Sequence, residues 1–190
     1  MTDAVSGHTF GPSALATPAN AVTVARLLAT PVFVALILAQ GATWLTVAVG
    51  VLVAGSDGVD GWVARRQGAT RSGAFLDPLA DKAVVLGAFF ALAVQGHLPW
   101  VPVVLIAARE VGMSVYRSYA GRRGVSVPAR ASAKAKTLVQ DLAIATCLLP
   151  PLAHEHALQL AAVWVAAALT VATGLQYLAD GRRALRGAAS

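Results

Sequence analysis

The chain has 190 residues, of which 57% are hydrophobic and only 13% charged, and its mean hydropathy is positive. That composition excludes an ordinary soluble domain and the length excludes several domains, leaving one integral membrane unit. The formal net charge of +6 does not imply a nucleic-acid partner, because the basic residues are segregated by loop and lack interleaved aromatic residues for stacking.

Residues 1–20 hold Gly, Ser, Thr and Pro but no Lys or Arg and no continuous apolar core. They predict a cytoplasmic lead-in without a cleavable signal peptide. Six apolar stretches follow, at 21–40, 43–64, 74–95, 99–120, 134–153 and 156–179. Each approaches or exceeds the roughly 18 residues that cross a bilayer as a helix. The predicted fold is therefore all-α, with six transmembrane helices over 21–180 and a basic cytoplasmic tail over 181–190. Pro31 inside the first stretch is tolerable, since neighbouring helices satisfy the freed backbone groups.

Arg65, Arg66 and Arg71 flank the second connection, Arg122, Arg123 and Arg130 fill the fourth, and Arg182, Arg183 and Arg186 end the chain. The first, third and fifth connections have no Lys or Arg. Positive charge stays on the cytoplasmic side, so both termini and the even-numbered loops are expected there. Trp44 and Trp100 then start spans at the outer interface, which suits amphipathic indoles. The lone Cys147 excludes an intramolecular disulfide and reads as a packing residue. His154 and His156 do not share a helical face, have no third ligand nearby, and read as part of an outer loop.

Four of the nine acidic residues fall between Asp57 and Asp81. If the second span stays helical through Arg65, a rotation of about 100 degrees per residue puts Asp57, Asp60, Gly61 and Ala64 on one stripe. Two carboxylates then alternate with positions of minimal bulk, which close approach of a ligand requires. In the third span Asp77 and Asp81 share a face, and Gly73 lies one turn before Asp77. A short cytoplasmic connection lets the two faces meet at the inner end of an antiparallel pair. Four converging carboxylates repel one another unless cations occupy the gap, and hard oxygen ligands suit two divalent ions, Mg2+ or Mn2+. Such a pair clamps phosphate and activates a hydroxyl, so the expected chemistry is phosphoryl transfer. The competing readings are ion pairs with Arg65 or Lys82 and an ion pathway through a membrane cation carrier.

The pattern D-x-x-D-G-x-x-A-R, seven residues, then G-x-x-x-D-x-x-x-D runs from Asp57 to Asp81 without a mismatch. Here the chain resembles the CDP-alcohol phosphatidyltransferase family. The resemblance implies a homodimeric six-helix bundle that transfers a phosphatidyl group from CDP-diacylglycerol to an alcohol and releases CMP. It implies metal ligation by Asp57, Asp60, Asp77 and Asp81, with Asp81 also the general base. On the donor side it implies Asp57, Gly61, Ala64, Arg65 and Gly73, together with Asn20 and Thr23. Arg65 would bind the diphosphate through its planar fork.

Further along, Arg109, Glu110 and Arg117, then Lys134, Lys136, Thr137 and Gln140, resemble the phosphatidylglycerophosphate synthase branch, as do Asn20, Thr23, Arg26 and Pro31. Ala133 departs from it, since glycine is common there before the first lysine. The acceptor implied is glycerol 3-phosphate, held by Arg109, Arg117 and Lys134, with Lys136 a weaker candidate and Asp141 given no catalytic role. Cardiolipin synthase and phosphatidylinositol phosphate synthase are the alternatives within the family. The expected location is the cell's inner (plasma) membrane, embedded in membrane lipid with the active site facing the cytoplasm.

Overall fold

A computed structural model describes residues 18–67, 73–122 and 131–187. They form α1 (Pro18–Gln40), α2 (Trp44–Gln67), α3 (Gly73–Val94), α4 (Trp100–Arg122), α5 (Ala131–Leu148) and α6 (His156–Gly187), with a single 3-10 turn at Pro150–Leu152. The described residues contain no strand, and each predicted span falls on one helix. Helix α1 runs through Pro31.

Two boundaries differ from expectation for local reasons. The fifth helix stops at Leu148 rather than reaching 153, because Pro150 and Pro151 follow. A residue before proline is pushed out of the helical region, and Leu149 is extended at φ −69 and ψ 118. At the other end of the chain, α6 continues for 32 residues. Arg182, Arg183 and Arg186 thus lie on an extension of the last helix rather than on a separate tail.

Glycine and side-chain caps make the tight connections. Gly41 (φ 63) and Gly96 (φ 78) adopt the left-handed conformation that ends α1 and α3. The amide N–H of Gly41 donates to the Ile37 carbonyl at 2.9 Å, and that of His97 to Leu92 at 3.0 Å. Thr43 Oγ1 accepts the Thr46 N–H at 3.2 Å and opens α2. Gln95 Nε2 donates to the Ile37 carbonyl at 2.6 Å, tying the end of α3 to the end of α1. The buried Gln159 side chain donates to Leu152 and Ala153 carbonyls at 3.0 Å each, holding the turn before α6.

Helix α1 packs on both α2 and α3, while α6 packs on α4 and α5, and α3 touches α4 and α5 across the middle. The core at this junction includes Phe33, Ile37, Phe89, Leu92, Ile106 and Val163, all nearly inaccessible. Cys147 is buried among them as expected. A Cβ placed on Gly87 would approach Val34 Cγ2 to 2.9 Å, so glycine there sets how closely α1 and α3 can approach.

The outer face remains apolar: Leu28, Leu52, Val94, Val104 and Leu175, from five of the helices, are exposed. Such a belt is unsuited to water. Among the described residues, Ala21–Gln40 and His156–Ala179 are long and apolar enough on their own to cross a membrane. A shorter apolar segment occupies Trp44–Ser56 of α2.

Replacing Gly87 by leucine should destabilise the bundle by about 1–3 kcal/mol through overpacking, read as a lower midpoint of thermal unfolding in detergent. Gly112→Ala, where an added Cβ meets nothing within 4 Å, should leave that midpoint at or slightly above the wild-type value.

Candidate functional site

Helix α2 continues through Gly55, Gly58 and Gly61 to Gln67. Its backbone therefore keeps Asp57, Asp60, Gly61 and Ala64 on the expected stripe, with Arg65 one residue on. Helix α3 likewise carries Gly73, Asp77 and Asp81 at successive turns, and α2 packs against it. The side chains of 57–67 and 73–78 lie outside the described residues, as do those of Asn20 and Lys134. Among the described side chains no group of three or more potential ligands gathers around a metal position. The donor set of the two stripes is four carboxylates, which fits hard divalent cations and no softer metal.

Asp81 is exposed and lines a cavity of about 460 Å3 between α1, α2, α3 and α5. The cavity's polar lining residues are Arg26, Asp81, Thr137 and Asp141. Arg26, Asp81 and Thr137 lie in the first halves of α1, α3 and α5, and Asp141 lies one turn beyond Thr137. All four border the same cavity. Elsewhere the walls are apolar, with Phe33, Val47, Gly50, Ala88, Leu148 and Leu149. Asp141 thus faces the cavity although its sequence context assigned it no role.

Arg26 is the residue whose importance was least legible. Its side chain is buried, and Nε donates to Ser56 Oγ at 3.0 Å. Ser56 Oγ in turn donates to the Val53 carbonyl at 2.8 Å. A guanidinium is thereby pinned against α2 at the residue before Asp57. One turn earlier on α1, Thr23 is buried. An isolated arginine in an apolar span signals an expensive charge, but its partner thirty residues away has no local sequence mark.

The predicted acceptor residues separate into two settings. Lys134 is one turn before Thr137 and two before Asp141 on α5, in register with the cavity-lining stripe. Arg109 is not among the cavity residues. It donates from Nη1 to Glu110 Oε1 at 3.0 Å and from Nη2 to Thr173 Oγ1 at 3.3 Å. A Cβ on Gly174 would lie 3.1 Å from Arg109 Cγ and Nε, so the glycine leaves room for this side chain. Arg117 is exposed, with its guanidinium carbon 5.8 Å from the centre of the Tyr177 ring.

Lys136, the weaker candidate by sequence, is buried and donates to Glu110 Oε1, which is also buried. Four residues further on, Gln140 Nε2 donates to Thr170 Oγ1 at 2.9 Å within the interior. The Lys136–Gln140 stripe therefore faces α4 and α6, away from the Lys134 stripe. Lys82, beside Asp81, lies within electrostatic range of Glu110, Lys136 and Arg117. Glu110 is the hub of this group, and in the sequence only the resemblance marks it.

This arrangement, a mainly apolar cavity bordered by carboxylate and guanidinium with an acid-bearing helix pair beside it, suits a lipid with a polyanionic head. Residues 16–172 match the profile of the CDP-alcohol phosphatidyltransferase family. A Mycobacterium tuberculosis protein named "Probable phosphatidylglycerophosphate synthase" is 37% identical over 191 residues, covering 96% of this chain and 90% of its own. "CDP-diacylglycerol--glycerol-3-phosphate 3-phosphatidyltransferase" of Escherichia coli strain K12 is 36% identical over 169 residues, 85% of this chain and 92% of its own. The Sodalis glossinidius protein of the same name is 39% identical over 140 residues, 71% and 77% of the two chains. With the family profile spanning most of its length and relatives at 36–39% identity aligned over 71–96% of it, the chain belongs to the CDP-alcohol phosphatidyltransferase family.

Proposed function

We propose that the protein transfers the phosphatidyl group of CDP-diacylglycerol to glycerol 3-phosphate, giving phosphatidylglycerol phosphate and CMP in phospholipid synthesis. It does so as a homodimer of six-span subunits in the cell's inner (plasma) membrane, with both termini and the site at the cytoplasmic side. Residues 21–180 are the catalytic domain, preceded by a cytoplasmic lead-in and followed by the basic 181–190 segment. The observation that carries this reading is the cavity whose apolar walls end at Asp81 and Arg26. It offers an acyl chain a place to lie while the diphosphate stays level with the aspartates. The names of the relatives support this donor and acceptor, and the exposed apolar belt supports full membrane embedding.

In this reading Asp57, Asp60, Asp77 and Asp81 hold two divalent cations, Mg2+ or Mn2+. When bound, these supply charge neutralisation at the phosphate oxygens and acidify a nearby hydroxyl. Arg65 clamps the donor's diphosphate through its two-pronged face. Gly61, Ala64 and Gly73 leave room for cytidine and ribose, with Asn20 and Thr23 on the same side. Arg109, Arg117 and Lys134 receive the acceptor's phosphate.

The acceptor's primary hydroxyl oxygen then attacks the lipid-side phosphorus. A new P–O bond forms as the bond to the bridging oxygen breaks, and CMP leaves with that electron pair while the hydroxyl proton passes to Asp81. Arg65 stabilises the charge that grows on the leaving phosphate.

The reading is tested by supplying CDP-diacylglycerol to purified protein with glycerol 3-phosphate, phosphatidylglycerol or inositol phosphate. CMP release should require glycerol 3-phosphate, cease with EDTA, and return with excess Mg2+ or Mn2+. Turnover of another acceptor in its place overturns the assignment. Asp81→Asn should lower turnover by about 10²–10⁴-fold, the usual contribution of a general base, and wild-type turnover would remove Asp81 from that role. Replacing Arg109 or Lys134 with methionine should raise the KM for glycerol 3-phosphate roughly tenfold or more, as expected for a lost charge-assisted hydrogen bond. The donor KM should change little, and an unaltered acceptor KM would take these residues out of the site.

A further inference from the structure

Helix α2 is least secure where it carries its aspartates. Gly55, Gly58 and Gly61 fall within seven residues of it, and glycine is the poorest helix former apart from proline. Asp57 and Asp60, interspersed with them, are three residues apart and repel each other on one face. The hydroxyl of Ser56 donates back to the Val53 carbonyl at 2.8 Å, a bond that loosens a helix rather than tightening it. Helicity in such a stretch depends on contacts from outside.

Helix α1 supplies one. A Cβ on Gly50 would come within 2.9 Å of the Phe33 ring, and Arg26 Nε donates to Ser56 Oγ at 3.0 Å. Residues 33 and 50, then 26 and 56, are thus opposed, so the two helices run antiparallel along a seam that reaches the residue before Asp57. The direction of the polar contact is fixed, because the one proton of Ser56 Oγ is spent on Val53 and its lone pairs are left to accept. Arg26 is a permanent cation and only 3% exposed, and a hydrogen bond in such surroundings is stronger than at a wet surface. The Gly55 position, in contrast, faces open space, where an added Cβ would meet nothing within 4 Å.

We infer that the Arg26–Ser56 hydrogen bond is a latch that keeps the glycine-rich turns of α2 helical and so holds Asp57 and Asp60 on the stripe that a divalent cation would meet. Arg26 and Ser56 are positioning residues in this role, acting through the backbone of α2. The consequence for the cation rests on the metal reading above, whereas the effect on the helix does not.

Hydrogen exchange at residues 55–61 of the full chain in detergent, followed by mass spectrometry in the presence of EDTA, reads the helix directly. Ser56→Ala should speed exchange there by roughly tenfold or more, the shift in local opening expected from one lost hydrogen bond to a charged group. Ser56→Thr keeps the acceptor and should exchange as the wild type does. Adding Gly55→Ala, which raises helix propensity at a position with room for it, should slow exchange again in the Ser56→Ala background. Ser56→Cys, similar in size but a weak acceptor, repeats the comparison if Ser56→Ala fails to accumulate.

Mn2+ affinity, read from the electron paramagnetic resonance signal of the free ion, should fall roughly tenfold with Ser56→Ala, the lower end of what losing a group behind a metal ligand costs. It should recover with Ser56→Thr and with the Gly55→Ala, Ser56→Ala pair, while kcat at saturating Mn2+ stays near the wild-type value. A merely structural contact predicts a lower thermal midpoint with exchange at 55–61 and Mn2+ affinity both unmoved. Unchanged exchange with Ser56→Ala, or a defect that Gly55→Ala does not relieve, overturns the latch. Faster exchange at unaltered Mn2+ affinity overturns its link to the cation. A wild type that binds no Mn2+ overturns the metal reading, and the exchange comparison still decides the latch.

Discussion

An ionised side chain within a bundle of apolar helices must meet an opposite charge, a hydrogen-bonding group or a bound ion, and most of this structure follows from that requirement. Arg26 meets it through Ser56 on the neighbouring helix. Arg109 and Lys136 meet it through the shared carboxylate of Glu110. These bonds cross between helices, so each one also fixes how a pair of helices is set. Leaving one member without its partner would strand a buried charge, at a typical cost of about 3–5 kcal/mol.

Small residues make the same arrangement sterically possible. Gly87 lets α1 come against α3, Gly50 faces the Phe33 ring, and Gly174 accommodates Arg109. Interiors without a hydrophobic drive between helices depend on such close approach and on polar contacts. Arg26, Asp81 and Lys136 lie in the first halves of α1, α3 and α5, and apolar packing dominates the core. Under the proposed function this polarity matches the substrate, whose head is polyanionic and whose tails are hydrocarbon.

The all-helical fold was legible because each helix is a predominantly apolar stretch set off by glycine, proline or charge. Where reading and structure part, the cause is local: the Pro150–Pro151 pair stops α5 early, and nothing after residue 179 breaks α6. The aspartate pattern was legible because spacing along a helix maps directly onto its faces, and α2 does remain helical through its glycines. Arg26 and Glu110 were far less so. Their partners are thirty and twenty-six residues away, and no periodicity in one segment reports on another. Lys134 and Lys136 look alike in the chain, yet two residues on a helix turn through about 200 degrees.

By itself, the sequence determined the number and approximate limits of the helices, the all-oxygen character of the acidic stripes and the family that carries them, since these depend on local composition and helical period. Tertiary structure decided which cations share a carboxylate, that Asp141 and Thr137 border the same cavity as Asp81, and that Arg109 turns toward α6. Those outcomes arise from the mutual placement of helices, where side chains distant in sequence must satisfy one another's charge and volume.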